Sequence, residues 1–279
     1  MKTYRVVRLT FACYLLIAWT WGFSGSAWAD SYDIYLLAGQ SNMDGRGQVS
    51  ELTLSQRRPL SNAIIYYRNP PRSSDGWKPL APGFSIPPKY KGGFPSPTFG
   101  PEIGFANAIL QAAPHQKIAL IKGSKGGTSL RVDWNPGESG KPETQGECYR
   151  NFCETIRLAT EDLKRQNHDF HIQGLLWHQG EADKNSNPET YQERFHVLVD
   201  RIKKEVGVDD LPVVVGEVFD NGKRDKVRTA LQAIGNSGPP FGFVSSQGTK
   251  TWDEGTHFDA ASQLLLGQRY ADAVLRLKK

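Results

Sequence analysis

Short apolar runs recur along this chain, all but the first followed by a segment of helical period, and that alternation leaves few folds open. The runs cover residues 34–38, 63–67, 117–121, 172–177, 211–215 and 242–245. Several are apolar without interruption, the pattern of strands covered on both faces. Helical patterns fill 101–113, 151–166, 188–206, 225–234 and 259–277. Pro101 and Pro188 stand where a first helical turn tolerates proline, and Asp259 before Ala260-Ala261 is suited to an N-cap. Alternating β and α with short joints predicts an α/β fold, a mostly parallel central sheet between two helical layers.

Two stretches break the alternation. Residues 70–101 (PPRSSDGWKPLAPGFSIPPKYKGGFPSPTFGP) are rich in Pro, Gly, Ser and aromatics and have no period. A segment of that length within one domain is either a functional loop, here one lining a site, or a poorly ordered insertion. Residues 133–146 make a second loop of this kind.

The first 29 residues read as a secretory signal rather than as part of the fold. Lys2, Arg5 and Arg8 precede an apolar run from about residue 9 to 23, and Ala27-Trp28-Ala29 supplies an A-x-A cleavage pattern. The run is short of the roughly 20 residues a membrane span needs. Residues 30–279 are then expected as a single exported domain, periplasmic or secreted, without stable membrane association. Of the 34 Lys and Arg, three lie in this segment and no acid does, which leaves 31 against 29 Asp and Glu, net +2. There is no basic stripe with interleaved aromatics, so nucleic acid is not an expected partner. In an exported chain Cys148 and Cys153 are candidates for a disulfide, provided that Cys148 precedes the helix; within one regular helix their spacing is too long. No His or Cys pair at ligand spacing stands near them, so no metal is expected.

Candidate chemistry collects at strand ends. Ser41, in Gly39-Gln40-Ser41-Asn42-Met43, follows the first strand, where an open α/β sheet binds its ligands. A serine there acts as a nucleophile if a base reaches it; otherwise it caps a turn. His257, in WDEGTHFDA, is the candidate base. Glu254 is the first candidate to orient it, followed by Glu181 and then Asp253. For the oxyanion of an acyl transfer, a glycine of Gly126-Gly127-Thr128 in KGSKGGTSL offers a backbone N–H and Gln179 in WHQGEAD a side-chain amide. Alone, each residue has an ordinary structural role; together they converge on one sheet edge. His178 fits either a substrate contact or an interior hydrogen bond. Trp134, Trp177 and Trp252 lie near these motifs and offer faces for a sugar ring, although tryptophan is more often core.

In order, GQSNMDGRG, GPEIGFA, KGSKGGTSL, WHQGEAD and DEGTHFD resemble the motif blocks of the sialate O-acetylesterase-like group of SGNH hydrolases, with carbohydrate esterase family six (acetylxylan esterase-like). The resemblance spans about residues 32–275. It implies a three-layer α/β/α, flavodoxin-like fold and removal of O-acetyl groups from acetylated xylan, sialic acid or a related glycan through an acyl-serine, without a cofactor. It assigns Ser41 as nucleophile and oxyanion donor, Gly127 and Gln179 as further donors, and His257 as base. One departure stands out: the third position before the histidine, commonly Asp in such enzymes, is Glu254. G-x-S-x-G and P-loop patterns are absent. Two other readings remain: a carbohydrate-binding protein without catalysis, and a lysophospholipase-like SGNH esterase preferring longer acyl chains.

Overall fold

A computed structural model describes residues 30–87 and 96–279. The signal-peptide expectation at 1–29 lies outside them, as do residues 88–95 of the long Pro/Gly-rich stretch. Parallel strands β1 (Ser31–Gly39), β2 (Ala63–Asn69), β3 (Lys117–Ser124), β4 (Asp169–His178), β5 (Val213–Gly216) and β6 (Phe241–Val244) form the body of one sheet, ordered β6-β5-β4-β1-β3-β2. Short antiparallel strands Arg72–Ser73 and Lys78–Pro79 pair with β2 at the edge. β1 is central and pairs with both neighbours to its end, after one register shift against β4 between Ile34 and Tyr35, so that Gly39 faces Ser124 of β3 and His178 of β4.

Among the described residues, five long helices link or follow the strands: α1 (Glu102–Ala112), α2 (Glu147–Arg165), α3 (Pro188–Val206), α4 (Asp225–Gly235) and α5 (Ala260–Leu277). Asp259 caps α5 by accepting from Ser262 N–H. Because successive strand side chains point to opposite faces, β1 serves two cores. Ile34, Leu36 and Ala38 pack with Phe152, Phe195 and Leu231 beneath α2, α3 and α4. Tyr35 and Leu37 pack with Ile103, Phe105, Leu266 and Tyr270 beneath α1 and α5. Each large apolar side chain so buried contributes roughly 1.5–3 kcal/mol, and two such layers make a three-layer α/β/α sandwich.

Two expectations are corrected, and a third is corrected for the described residues only. Cys148 lies within α2 together with Cys153, so the pair has the spacing of a single helix and both thiols are free; burial pushes each up to about 12. Trp134 and Trp177 are core residues packed edge to face at 5.1 Å, which removes them as sugar platforms. The described part of 70–101 does not line the cleft reported below. It covers the network beneath instead, through Ile86 N–H on Asp44 and the Phe84 carbonyl on Lys122. Among the described residues no helix is long and apolar enough to cross a membrane.

Candidate active site

The chain leaves β1 through Gly39, where backbones crowd: a Cβ there would meet the His178 carbonyl oxygen at 2.1 Å, so only glycine fits. Gln40 N–H then bonds that same carbonyl at 3.0 Å, and Ser41–Asp44 form one helical turn. The turn is anchored from below. Asp44 accepts from Arg46, Tyr67, Asn69, Ser124 and the Ile86 N–H. Lys122, fully buried, donates to Glu102, to the Asp44 carbonyl and to the Phe84 carbonyl at 2.7–2.9 Å. Ser41 is thus held on core structure, in the wall of an open cleft of about 550 Å³.

His257 comes from the loop between β6 and α5 and reaches that hydroxyl: Nε2 lies 3.2 Å from Ser41 Oγ. The carboxylate on the other ring nitrogen is Asp253, with Oδ2 2.6 Å from Nδ1. Glu254, expected first, is exposed and takes no part. The reason is local. Asp253 Oδ1 accepts the N–H groups of Thr256 and His257 at 2.9 and 2.8 Å, an Asx-type closure that a longer side chain does not make. Folding the loop on Asp253 leaves Oδ2 facing the imidazole and turns Glu254 outward. Glu181 is also displaced from that role, since its Oε1 accepts from Asn42 at 2.6 Å.

These contacts set the charge states. Burial works to raise Asp253, but the two N–H groups and the imidazole outweigh it and hold the carboxyl below its ordinary range. Burial lowers His257, and Arg46 and Arg224 add to that against the pull of Asp253. Its resting form is therefore neutral near pH 7, with the proton on Nδ1 toward Asp253 and the Nε2 lone pair toward Ser41. The Trp252 ring stacks on the imidazole at 5.6 Å and 11°, which fixes its plane. Burial raises the Glu181 carboxyl.

Of the expected donors, Gly127 is in place. It lies in the cleft wall with φ +74°, a backbone conformation that favours glycine, and open space stands where a Cβ would be. Gln179 is not in place. It is fully buried, and its Nε2 donates to Asp183 Oδ2 at 2.6 Å and to the Thr128 carbonyl at 3.0 Å. The Gln179 Oε1 accepts from Tyr191 at 2.9 Å. With both ends of the amide engaged inside, it does not face the cleft. His178 is interior as well: Tyr270 OH donates to the Trp177 carbonyl and so accepts from His178 Nδ1, and burial lowers the ring to about 4.

A hydroxyl, an imidazole and a carboxylate in a chain, beside an unobstructed backbone N–H, suit nucleophilic acyl transfer. The family comparison agrees in kind: the carbohydrate esterase, sialic acid-specific acetylesterase family matches residues 31–276. The chain belongs to that family. As a member it is a carboxylic ester hydrolase, one of the carbohydrate acetylesterases. The probable carbohydrate esterase At4g34215 of Arabidopsis thaliana is 24% identical over 257 residues, which are 87% of this chain and 90% of that protein. Its crystal structure superposes with a TM-score of 0.68 at 22% identity, over 89% of this chain and 98% of the other. NanS superposes at 0.64 and 16%, over 90% and 98%. XAC1771, a carbohydrate acetylesterase from Xanthomonas citri, superposes at 0.59 and 17%, over 88% of this chain and 56% of its own length. At these identities the superpositions speak for the fold.

Several residues of the esterase's cleft were not singled out in the sequence. Asn42 ties the serine turn to the histidine loop: Nδ2 donates to the Thr256 carbonyl at 2.9 Å, and Oδ1 accepts from Phe258 N–H at 3.2 Å. Arg224 holds the same loop from the other side, through the Gly255 carbonyl and Thr256 Oγ1, both at 2.9 Å. Arg46 lines the cleft beside Gly126. Asn42 lay in plain view next to Ser41. Arg224 carries no local signal, since it is recruited from the start of α4.

Proposed function

We propose that this esterase removes O-acetyl groups from carbohydrate through an acetyl-serine intermediate. The observation that carries the reading is the Ser41–His257–Asp253 chain, 3.2 and 2.6 Å between successive polar atoms, at the carboxyl edge of the sheet. His257 Nε2 takes the Ser41 proton as Oγ attacks the acetyl carbonyl. Asp253 stabilises the imidazolium formed, and the Ser41 and Gly127 N–H groups face the oxyanion. The imidazolium then gives its proton to the departing sugar alkoxide. In the second half, His257 deprotonates a water that attacks the acetyl-serine, and the imidazolium returns that proton to Ser41 Oγ as the acyl–oxygen bond breaks and acetate is freed.

Family membership supports an acetyl group on a sugar, and a cleft of this volume lies in the range that accepts a small ligand. The decisive experiment measures acetate release from acetylated xylan and from O-acetylated sialic acid, alongside p-nitrophenyl acetate. Ser41→Ala is expected to abolish turnover on all of them while leaving the melting temperature unchanged. A folded Ser41→Ala protein as active as the wild type excludes the mechanism. Maximal rates on long-chain rather than acetyl esters exclude the substrate class.

A further inference from the structure

Burying Gln179 leaves the oxyanion with two backbone donors, and the structure indicates where a third comes from. We propose that Gln40, the residue preceding the nucleophile, donates its side-chain amide to the oxyanion, and that Gln179 acts one step back by fixing how the Gln40 amide is turned. The inference rests on Ser41 being the nucleophile.

The orientation follows from a chain of forced choices. The Asp183 carboxylate accepts from the Leu130 N–H at 2.7 Å and, with the Thr128 carbonyl, presents oxygen to the Gln179 amide. The end of Gln179 facing those acceptors must be Nε2. That nitrogen also lies 3.4 Å from the Gln40 side chain, and the Ala182 N–H approaches the same Gln40 atom at 3.4 Å. The Ala182 N–H donates to it, and both hydrogens of Gln179 Nε2 are already directed at Asp183 and Thr128, so it must be Oε1; a flipped amide would set NH₂ against the Ala182 N–H and the positive end of the Gln179 amide, with no acceptor there. The Gln40 NH₂ is thereby turned away from the interior.

It turns toward the cleft. Gln40 is a wall residue of the cleft, with Ser41, Gly127 and His257. Its Nε2 has no acceptor among the described residues and is not one of the enclosed polar atoms that lack a partner. The backbone of Gln40 is held at both ends, N–H on the His178 carbonyl and C=O under the Asp44 N–H, so the side chain starts from a fixed point. A donor that is oriented beforehand, with no competing partner to leave, is what stabilisation of a developing charge requires.

Three variants test this with p-nitrophenyl acetate. Gln40→Ala is expected to lower kcat by about 10²–10³-fold, the usual effect of one lost oxyanion donor, with KM little changed. Gln40→Glu keeps the shape and the Oε1 contacts but sets a negative oxygen against the oxyanion, so it should fall below Gln40→Ala. A side chain needed only for packing predicts the reverse order, with the isosteric Glu retaining more activity. The ratio of phenylboronic acid affinity to acetate affinity should drop in both, because only the boronate forms a tetrahedral adduct. Gln40→Asn tests reach and should recover part of the deficit of Gln40→Ala.

Gln40→Ala within about threefold of wild-type kcat, or Gln40→Glu outperforming Gln40→Ala, overturns the proposal. If Gln40→Ala fails to fold, the Gln-to-Glu comparison decides alone. Ser41→Ala separates the two levels of argument. Loss of activity there with no effect at Gln40 removes only this inference, whereas full activity in Ser41→Ala removes the proposed mechanism as well.

Discussion

The turn that carries Ser41 and the loop that carries His257 lie 216 residues apart in sequence and are held in different ways. Ser41–Asp44 are buried throughout and rest on an ionic network, Asp44–Arg46 and Lys122–Glu102, whose carboxylates are closed to solvent. The His257 loop is half-buried; its own Asp253 folds it, and Asn42 and Arg224 hold it from outside. The nucleophile therefore shares its supports with the core, while the base hangs on a few bonds that serve nothing else. Damage beneath the serine should appear chiefly as lost stability, and damage around the histidine chiefly as lost rate.

The largest test of that division lies in the loop. In Asp253→Asn, Oδ1 still accepts the Thr256 and His257 N–H groups, so the loop keeps its shape. What changes is the atom facing Nδ1, where an NH₂ group favours the unproductive imidazole tautomer. A fall in kcat of about 10⁴-fold with little change in melting temperature is expected. Glu254→Gln, one residue along, should stay within a fewfold of wild type. Equal losses in the two variants, measured on p-nitrophenyl acetate, would mean that the orienting role is shared and would blur the contrast.

The opposite outcome is expected beneath the serine. Lys122→Met leaves the Glu102 carboxylate buried without its cation, a change that costs about 3–5 kcal/mol. Chemical denaturation should show that loss, while kcat of the folded fraction falls by less than about tenfold. Adding Glu102→Gln removes the orphaned charge and keeps an acceptor for Gly100 N–H, so part of the stability should return. A Lys122→Met protein of wild-type stability and negligible rate would reverse the assignment of the two regions.

The same contrast accounts for what could be read in the chain. The sheet and helices were legible because β1, β3 and β4 are apolar along most of their length and α3 runs from Pro188 to Val206 under a capping Asn187. α2 begins four residues before its apolar period, at Glu147, and that shift places Cys148 inside the helix. In the cleft, Ser41, Gly127 and His257 were legible as strand-end or pre-helix residues. Asp253 was ranked below Glu254 because spacing alone does not tell which of two adjacent carboxylates folds a turn on its own backbone. Gln179 was misplaced because an amide after a strand looks the same whether it faces water or Asp183 and Tyr191. Such choices depend on partners distant in sequence, which local pattern does not carry.

The smallest effect concerns the charge on the base. Only neutral His257 can take the serine proton, so activity is lost as pH falls through its folded pKa. Burial, with Arg46 and Arg224, sets that pKa below the ordinary histidine value of 6.5. The acid limb of kcat/KM should therefore lie below pH 6.5, with activity nearly constant above it. Stability follows the same sign. The unfolded chain binds the proton more tightly, so the contribution of His257 is complete above 6.5 and diminishes as pH drops toward the folded value. Arg46→Gln keeps a donor for Asp44 but removes one nearby positive charge, and should move the acid limb upward. A limb that stays in place would mean that desolvation sets the value, and would assign Arg46 to the scaffold beneath Ser41 rather than to the electrostatics of the base.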